Sequence, residues 1–146
     1  MNILVSACLL GVECRYDGTG KEIKEIVDLM KEHHLIPICP EIMGGLPTPR
    51  TPSEILPDRK VMMKDGRDVT AEYEKGAREA LRLARLYDCK YAILKERSPS
   101  CGHVEIYDGS FTGTKVPGNG ITAELLEKNG VKVIGESQID LFFGCL

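Results

Sequence analysis

Short apolar runs alternate along the chain with longer segments in which apolar residues recur every three or four positions. Four of the short runs, rich in leucine and β-branched residues, predict buried strands: 2–6, 35–38, 91–94 and 131–134. Three of the longer segments have apolar residues at helical spacing and predict helices: 21–34, 68–87 and 120–128. Strands that alternate with helices predict an α/β fold with a mostly parallel sheet.

Prolines, glycines and turn sequences mark the connections between these elements. The segment 40–57 is so rich in proline and paired glycine that we expect one long ordered loop, with neither helix nor central strand. The run 61–64 before a tight turn at 65–66 predicts a hairpin arm, and the turn sequence at 107–110 predicts a second hairpin. Together these patterns predict a single Rossmann-like, three-layer α/β domain over residues 1–146, with one or two β-hairpin insertions.

Composition and charge narrow the classes of function. The 146 residues carry 19 basic and 22 acidic side chains, a net charge of −3, so we expect no binding of free nucleic acid. The apolar run at the N-terminus is too short for a membrane span, and no basic residues precede it as they do in a signal peptide. We therefore expect a cytoplasmic protein without a membrane partner. The sequence does not indicate an oligomeric state.

Three of the six cysteines come after predicted strands. Cys8 follows the first strand, Cys39 follows the second, and Cys101 lies in the loop after the third. Because the carboxyl ends of parallel strands meet at one edge of a sheet, their thiols are expected to converge there. Three thiolates suit a soft metal centre, and a centre without a fourth protein ligand keeps one coordination position open for substrate. The alternative is that each thiol is a small buried apolar group.

The remaining cysteines are placed differently along the chain. Cys89 precedes its strand and is expected at the opposite edge of the sheet, while Cys145 is the penultimate residue, and neither is expected in the site. Cys14 lies in the loop after the first strand, six positions beyond Cys8, and is a reserve ligand. Disulfides are not expected, because the predicted compartment is reducing and the chain is long enough to form a core without them.

Two residues beside these cysteines are candidates for proton transfer. Glu41 closely follows Cys39, where a carboxylate next to a metal centre can act as a general acid or base; the alternative is a solvated loop carboxylate. Ser100, immediately before the third cysteine of the trio, can bind or protonate a leaving atom. Lys95 and Arg50 can hold an anionic group or balance the charge of a metal centre, although single loop cations are more often only solvated.

The residues around the cysteines form a set of motifs: Ser6-Ala7-Cys8-Leu9-Leu10-Gly11, Arg15-Tyr16-Asp17-Gly18, Cys39-Pro40-Glu41, Gly44-Gly45-Leu46-Pro47, Pro49-Arg50 and Lys95-Glu96-Arg97-Ser98-Pro99-Ser100-Cys101-Gly102. Together they resemble the DUF523 family, whose characterised members are thiouracil desulfidases, and the similarity spans nearly the whole chain. The resemblance implies a 4Fe-4S cluster held by Cys8, Cys39 and Cys101, with one open iron that binds the sulfur taken from the substrate. It also implies a thiolated pyrimidine such as 2-thiouracil as the small-molecule partner. Cys14 falls where members often carry no cysteine, which argues against an obligatory fourth ligand.

The resulting hypothesis is an iron-sulfur-dependent, non-redox desulfidase. Iron acts as a Lewis acid on the thiocarbonyl group, water adds to its carbon, Glu41 takes a proton from that water, and Ser100 assists at the substrate. Sulfide and a carbonyl product result without electron transfer. One alternative is a non-catalytic sensor or carrier that binds a cluster or zinc. Another is a nucleotide-binding domain with phosphate at Gly118-Asn119-Gly120, although the full dinucleotide fingerprint is missing there.

Overall fold

The computed structural model describes residues 1–142, so the expectation for Cys145 lies outside the described residues. Within them the main element is a four-stranded parallel sheet, accompanied by two short antiparallel hairpins. The strands are β1 (Asn2–Ser6), β2 (His34–Ile38), β3 (Ser53–Ile55), β4 (Val61–Met63), β5 (Tyr91–Leu94), β6 (Glu105–Tyr107), β7 (Lys115–Pro117) and β8 (Lys132–Gly135). The helices are α1 (Lys24–Asp28), α2 (Pro40–Met43), α3 (Thr70–Leu86), α4 (Ile121–Lys128) and α5 (Ile139–Phe142).

The main sheet has the strand order β2-β1-β5-β8, and its neighbouring strands all run parallel. β1 occupies a central position, where Leu4 lies opposite Ile36 of β2 and Ala92 of β5. The four strands predicted from the apolar runs are confirmed, with β2 beginning one residue earlier and β8 shifted by one residue along the chain. The predicted α/β fold with a mostly parallel sheet is therefore confirmed.

Apolar clusters cover both faces of this sheet, because successive residues of a strand point to opposite faces. One cluster joins α3 and α4 to the sheet and includes Leu4, Ala80, Ala92, Leu126 and Val133. The other joins α1 and α5 to the opposite face and includes Ile3, Val5, Ile26, Ile93 and Ile139. Helices on both faces give the three layers that the sequence predicts.

The helix α3 begins after a turn at Asp68 and buries one apolar side. The backbone N–H of Thr70 donates to Asp68 Oδ1 at 2.9 Å, which satisfies a group at the start of the helix. The buried side consists mainly of small residues: Tyr73, Gly76, Ala77, Ala80, Leu81 and Ala84. Small side chains let neighbouring elements approach the helix backbone closely, and α4 and α2 both pack against it.

The predicted helix at 21–34 is too long. Only α1 and a 3-10 turn at Leu29–Lys31 form there, and His34 already belongs to β2. α1 buries Ile26 alone, so little apolar surface holds the segment in helical geometry. The chain instead extends early and pairs with β1 along its whole length.

The expectation of one long loop at 40–57 is wrong in two places. α2 begins at Pro40, which is tolerated because a proline at the first helical position lacks only an N–H that would have no intrahelical acceptor. β3 forms in the same stretch and pairs antiparallel with β4. The hairpin arm predicted from 61–64 therefore exists as β4. Across the turn at 65–66 it forms a single antiparallel bridge between Met62 and Asp68, and its longer pairing is with β3, which precedes it.

The second predicted hairpin is confirmed. β6 and β7 pair antiparallel, with Tyr107 opposite Lys115, and the connection between them is longer than the tight turn that the sequence indicates. None of the helices in residues 1–142 combines the length and the apolar character that a membrane span needs.

Candidate active site

A cavity of about 540 Å³ lies where the carboxyl ends of β1, β2 and β5 meet. Cys8, Cys39 and Cys101 all line it, as the strand order predicts. Cys8 sits in the 3-10 turn that follows β1, and Cys39 is the residue before α2. Cys8 and Cys101 are buried and Cys39 is half-buried, so the three thiols are shielded from bulk water but open to the cavity.

The turn that carries Cys101 is held by hydrogen bonds on both sides. The Ser98 hydroxyl accepts the backbone N–H groups of Ser100 at 3.1 Å and Cys101 at 3.2 Å. The backbone N–H of Ile121, at the start of α4, donates to the Pro99 carbonyl at 2.9 Å. A Cβ at position 120 would lie 2.5 Å from the Ser100 carbonyl group, so only glycine permits this close approach. The thiol is thus fixed by the local turn and by α4 together.

Burial and neighbouring groups keep the thiols of Cys39 and Cys101 protonated. Burial and the charge of Glu41 raise the pKa of the Cys101 thiol to about 12. The hydrogen bond with Cys14, followed by burial, raises the pKa of the Cys39 thiol well above its usual range. A metal centre that binds thiolates here must therefore displace protons as it assembles.

Cys14, the reserve ligand of the sequence analysis, is also brought to the cavity. It is buried and lines the cavity wall, and the Cys39 thiol donates to its backbone carbonyl at 3.7 Å. The neighbouring Cys39 thiol lowers the pKa of the Cys14 thiol, but the Cys8 thiol and burial outweigh that effect and raise the pKa to about 11. Cys89 is buried before β5 and is not among the residues that line the cavity, as its position in the chain predicts.

Glu41 is a buried carboxylate at the cavity wall. Its Oε1 accepts the Ser100 hydroxyl at 2.8 Å, and its Oε2 lies 3.9 Å from the guanidinium of Arg50. The Arg50 side chain is only 5% exposed, and it also donates to the Cys14 carbonyl at 3.0 Å. Glu41 is therefore not a solvated loop carboxylate: it is held by a neutral donor on one oxygen and faces a cation on the other.

Ser100 lies behind Glu41 when seen from the cavity. It is fully buried and does not itself line the cavity. Its hydroxyl lies 2.9 Å from the Ser98 hydroxyl and 3.4 Å from Cys101 Sγ. Ser100 is therefore suited to position the Glu41 carboxylate and the Cys101 thiol.

Lys95 reaches the cavity, but its charge is already paired. Its Nζ lies 3.3 Å from Glu136 Oε2 and donates to the Glu96 carbonyl at 3.2 Å. The Glu96 carboxylate accepts the Ser137 backbone N–H at 2.8 Å. Burial opposes ionisation of Glu96, but these hydrogen bonds from Ser137 prevail and lower its pKa. The Lys95–Glu136 ion pair and the Glu96–Ser137 hydrogen bond therefore connect the loop after β5 to the residues that follow β8.

The cavity has an aromatic and hydroxylic side that the sequence analysis did not find. It is formed by residues from the loop after β1, from β3, from α3 and from the β6–β7 hairpin: Tyr16, Ser53, Tyr73, Tyr107 and Phe111. Burial and the charge of Glu41 raise the pKa of the Tyr73 phenol, so this group stays protonated. In the sequence, the alternation of Ser53 with Ile55 is typical of a strand and could have indicated that Ser53 faces inward. The prolines on either side of this short run favour a loop instead.

The close packing of α2 on α3 sets the position of Cys39 and Glu41. A Cβ at position 76 of α3 would lie 2.0 Å from the carbonyl oxygen of Pro40. No side chain fits between the two backbones, because real Cβ atoms do not approach an oxygen so closely. Gly76 thereby fixes how far the residues on either side of Pro40 extend into the cavity.

The donor set can be tested for the kind of metal centre it suits. Among the described residues, no three histidine, cysteine or carboxylate side chains are grouped closely enough to hold a single metal ion. A four-iron cluster distributes its cysteine ligands over separate iron atoms, so its thiols need not meet at one point. The cavity is lined by four unpaired thiols, those of Cys8, Cys14, Cys39 and Cys101, which is enough for a cluster held by three cysteines.

Comparison with known proteins agrees with this geometry. The model of the 2-thiouracil desulfurase family matches residues 3–138. The chain belongs to this family. This chain is 42% identical over 147 residues to YbbK, an uncharacterised protein of Bacillus subtilis (strain 168). The alignment covers 94% of this chain and 97% of YbbK.

The solved structures include a similar protein. The structure of TudS, a 4Fe-4S-dependent thiouracil desulfidase, superposes on this member of the 2-thiouracil desulfurase family with a TM-score of 0.93 and 43% identity. The match covers 99% of this chain and 96% of TudS. The predicted family is therefore confirmed.

Proposed function

We propose that this chain is a desulfidase that removes sulfur from a thiolated pyrimidine such as 2-thiouracil and releases it as sulfide. The single observation that carries the proposal is that three cysteines and a buried carboxylate line one cavity: Cys8, Cys39, Cys101 and Glu41. Membership of the 2-thiouracil desulfurase family and the likeness to TudS support it. The cavity volume of about 540 Å³ lies in the range of small-molecule sites.

In this proposal Cys8, Cys39 and Cys101 hold a 4Fe-4S cluster that leaves one iron without a protein ligand. When bound, the cluster supplies a Lewis-acidic iron for the substrate sulfur. The burial of Cys8 and Cys101 suits a group that oxygen and water degrade. The thiols of the described cysteines are all unpaired, which agrees with a reducing, cytoplasmic location.

Glu41 acts as the general base on water. Its carboxylate takes a proton as the water oxygen bonds to the thiocarbonyl carbon, and the carbon–sulfur bond then breaks. One water is consumed, a carbonyl group and hydrosulfide are formed, and no electrons are transferred. Ser100 holds one oxygen of Glu41 by a hydrogen bond of 2.8 Å and so aims the other toward the cavity and Arg50.

Aromatic side chains suit the planar ring of such a substrate. Tyr16, Tyr107 and Phe111 line the side of the cavity formed by loops and the β6–β7 hairpin. A flat heterocycle placed against aromatic faces gains contact area without a need for charge. The ring can therefore be held here while its sulfur points to the cysteines.

The deciding experiment is anaerobic reconstitution with iron and sulfide, followed by turnover of 2-thiouracil. We expect iron and acid-labile sulfide in the ratio of a 4Fe-4S cluster, and one uracil formed for each sulfide released. A cluster or a zinc ion that binds without turnover would instead support the sensor or carrier. A protein that binds neither iron nor substrate would refute the proposal.

Gly76→Ala is expected to damage this site through packing. Glycine to alanine in a helix interior usually stabilises by about 1 kcal/mol, but here the new Cβ collides with the Pro40 carbonyl. We expect a net loss of about 1–3 kcal/mol, as for overpacked cores, together with lower iron content. Thermal unfolding and iron analysis measure both, with Glu74→Ala on the exposed side of α3 as the control. A more stable Gly76→Ala protein with parental iron content would show that this contact does not position α2.

A further inference from the structure

Ser53 is a polar residue at a position that the fold otherwise makes apolar. Side chains of β3 alternate, so Ser53 shares the buried side with Ile55, while Glu54 points the other way. Across the hairpin Ser53 pairs with Met63, and Ile55 and Met63 belong to an apolar cluster. Only 9% of Ser53 is exposed.

The hydroxyl of Ser53 is buried without a hydrogen-bond partner of normal geometry in the described part of the chain. The phenol of Tyr73 is close enough for the Ser53 hydroxyl to lower its pKa, against the larger effect of burial, but the two groups do not reach normal hydrogen-bond geometry. Both residues line the cavity that holds the three cysteines. A buried hydroxyl left unpaired is costly, and natural structures retain one mainly where a ligand or an ordered water supplies the partner.

The other side of β3 supports the same wall of the cavity. Glu54 Oε1 accepts the backbone N–H groups of Gly109 at 3.0 Å and Phe111 at 3.1 Å. These bonds fix the β6–β7 connection so that Phe111 lines the cavity. β3 therefore places a hydroxyl and, through Glu54, an aromatic ring at one site.

Two of the charged side chains that line the cavity are already engaged. Arg50 faces Glu41 and donates to the Cys14 carbonyl, and Lys95 pairs with Glu136. Ser53 instead offers a neutral hydroxyl that has no hydrogen-bond partner of normal geometry in the described residues. A neutral donor beside an aromatic side chain is suited to an uncharged ring oxygen.

We propose that Ser53 donates a hydrogen bond to the ring carbonyl that a thiopyrimidine keeps when its sulfur is removed, and so selects rings that carry such an oxygen. The inference rests on the proposed function, because it takes the occupant of the cavity to be a thiopyrimidine. Ser53 would then be a specificity residue outside the cysteine loops. It would distinguish 2-thiouracil from cyclic thiones whose rings carry no carbonyl oxygen.

The test measures binding of uracil and of pyrimidin-2-one, which lacks the 4-oxygen, to cluster-loaded enzyme by anaerobic calorimetry. Ser53→Ala should weaken uracil binding about two- to tenfold, the usual effect of one neutral hydrogen bond, and leave pyrimidin-2-one binding unchanged. The KM for 2-thiouracil should rise by the same factor. The melting temperature should stay equal or rise, because an unpaired buried hydroxyl is removed.

Thr122→Val is the matched control. Thr122 is fully buried and its hydroxyl has no partner either, but it does not line the cavity. Its replacement should leave uracil binding unchanged. Equal uracil binding by wild type and Ser53→Ala, equal weakening in the control, or no uracil binding by the wild type would each overturn the inference. Absence of 2-thiouracil turnover, with the binding difference intact, would instead refute the proposed reaction alone.

Discussion

Replacing Glu41 by glutamine is expected to lower kcat for 2-thiouracil about a hundredfold to ten-thousandfold, the usual effect of losing a general base. Glutamine keeps the size of the side chain, and its oxygen can still accept the Ser100 hydroxyl that lies 2.8 Å away. It cannot take a proton from water. Iron and sulfide content should therefore match the parental protein while sulfide release collapses, and both are measured on the same reconstituted sample.

Glu96→Gln is the control for this prediction, since Glu96 is another carboxylate that lines the cavity. Its oxygen accepts the Ser137 N–H at 2.8 Å, which makes it part of the contact between two loops. We expect the Glu96 variant to retain turnover. A Glu41→Gln enzyme that works at the parental rate while Glu96→Gln fails would assign the base to Glu96.

Ser100 gives a second check on the same carboxylate. If its hydroxyl acts by orienting Glu41, Ser100→Ala should lower kcat in the parental enzyme and have no further effect in the Glu41→Gln enzyme. Additive losses would mean that Ser100 acts on the substrate independently. Comparison of the two single variants with the double variant distinguishes these outcomes.

The part of the site on the parallel sheet could be predicted from the sequence. Parallel strands are buried on both faces, so their residues form apolar runs that stand out from the segments around them. Their carboxyl ends share one edge, and for Cys8 and Cys39 the chain needs only one or two residues to reach it. The convergence of these thiols followed from topology alone.

The opposite wall of the cavity could not be predicted in the same way. α2 and β3 are only four and three residues long, and elements so short have no periodicity of their own. They form because the backbone of α2 packs against Gly76 and because β3 pairs with β4, which comes later in the chain. The prolines that frame them indicate a loop when only the local sequence is considered. Ser53 was missed as a site residue for this reason, and so was Phe111, whose loop is held by Glu54 of β3.

The same distinction applies to the charged residues. Lys95 and Arg50 are conspicuous in the sequence, yet the structure pairs Lys95 with the distant Glu136 and Arg50 with Glu41 of the same loop region. Whether these side chains meet depends on how the loops that carry them pack against one another. A candidate list drawn from the sequence therefore includes cations that mainly hold the site together.

Removing any one thiol of Cys8, Cys39 or Cys101 by substitution with alanine is expected to abolish cluster assembly and with it all turnover. A cluster left with two protein ligands is not retained, because each thiolate binds its own iron. Iron content after anaerobic reconstitution should fall to background in each variant. The absorption of the iron–sulfur chromophore should disappear in parallel.

Cys89→Ala separates loss of a ligand from loss of a buried side chain. Cys89 is 4% exposed and Cys101 is 3% exposed, so both replacements remove a thiol from a closely packed interior and should lower the melting temperature by similar amounts. Only the Cys101 variant should lose its iron. Equal iron in these two proteins would remove Cys101 from the ligand set. Cys14→Ala should keep the cluster if three thiols suffice, and loss of iron there would make Cys14 a fourth ligand and close the position at which substrate sulfur is proposed to bind.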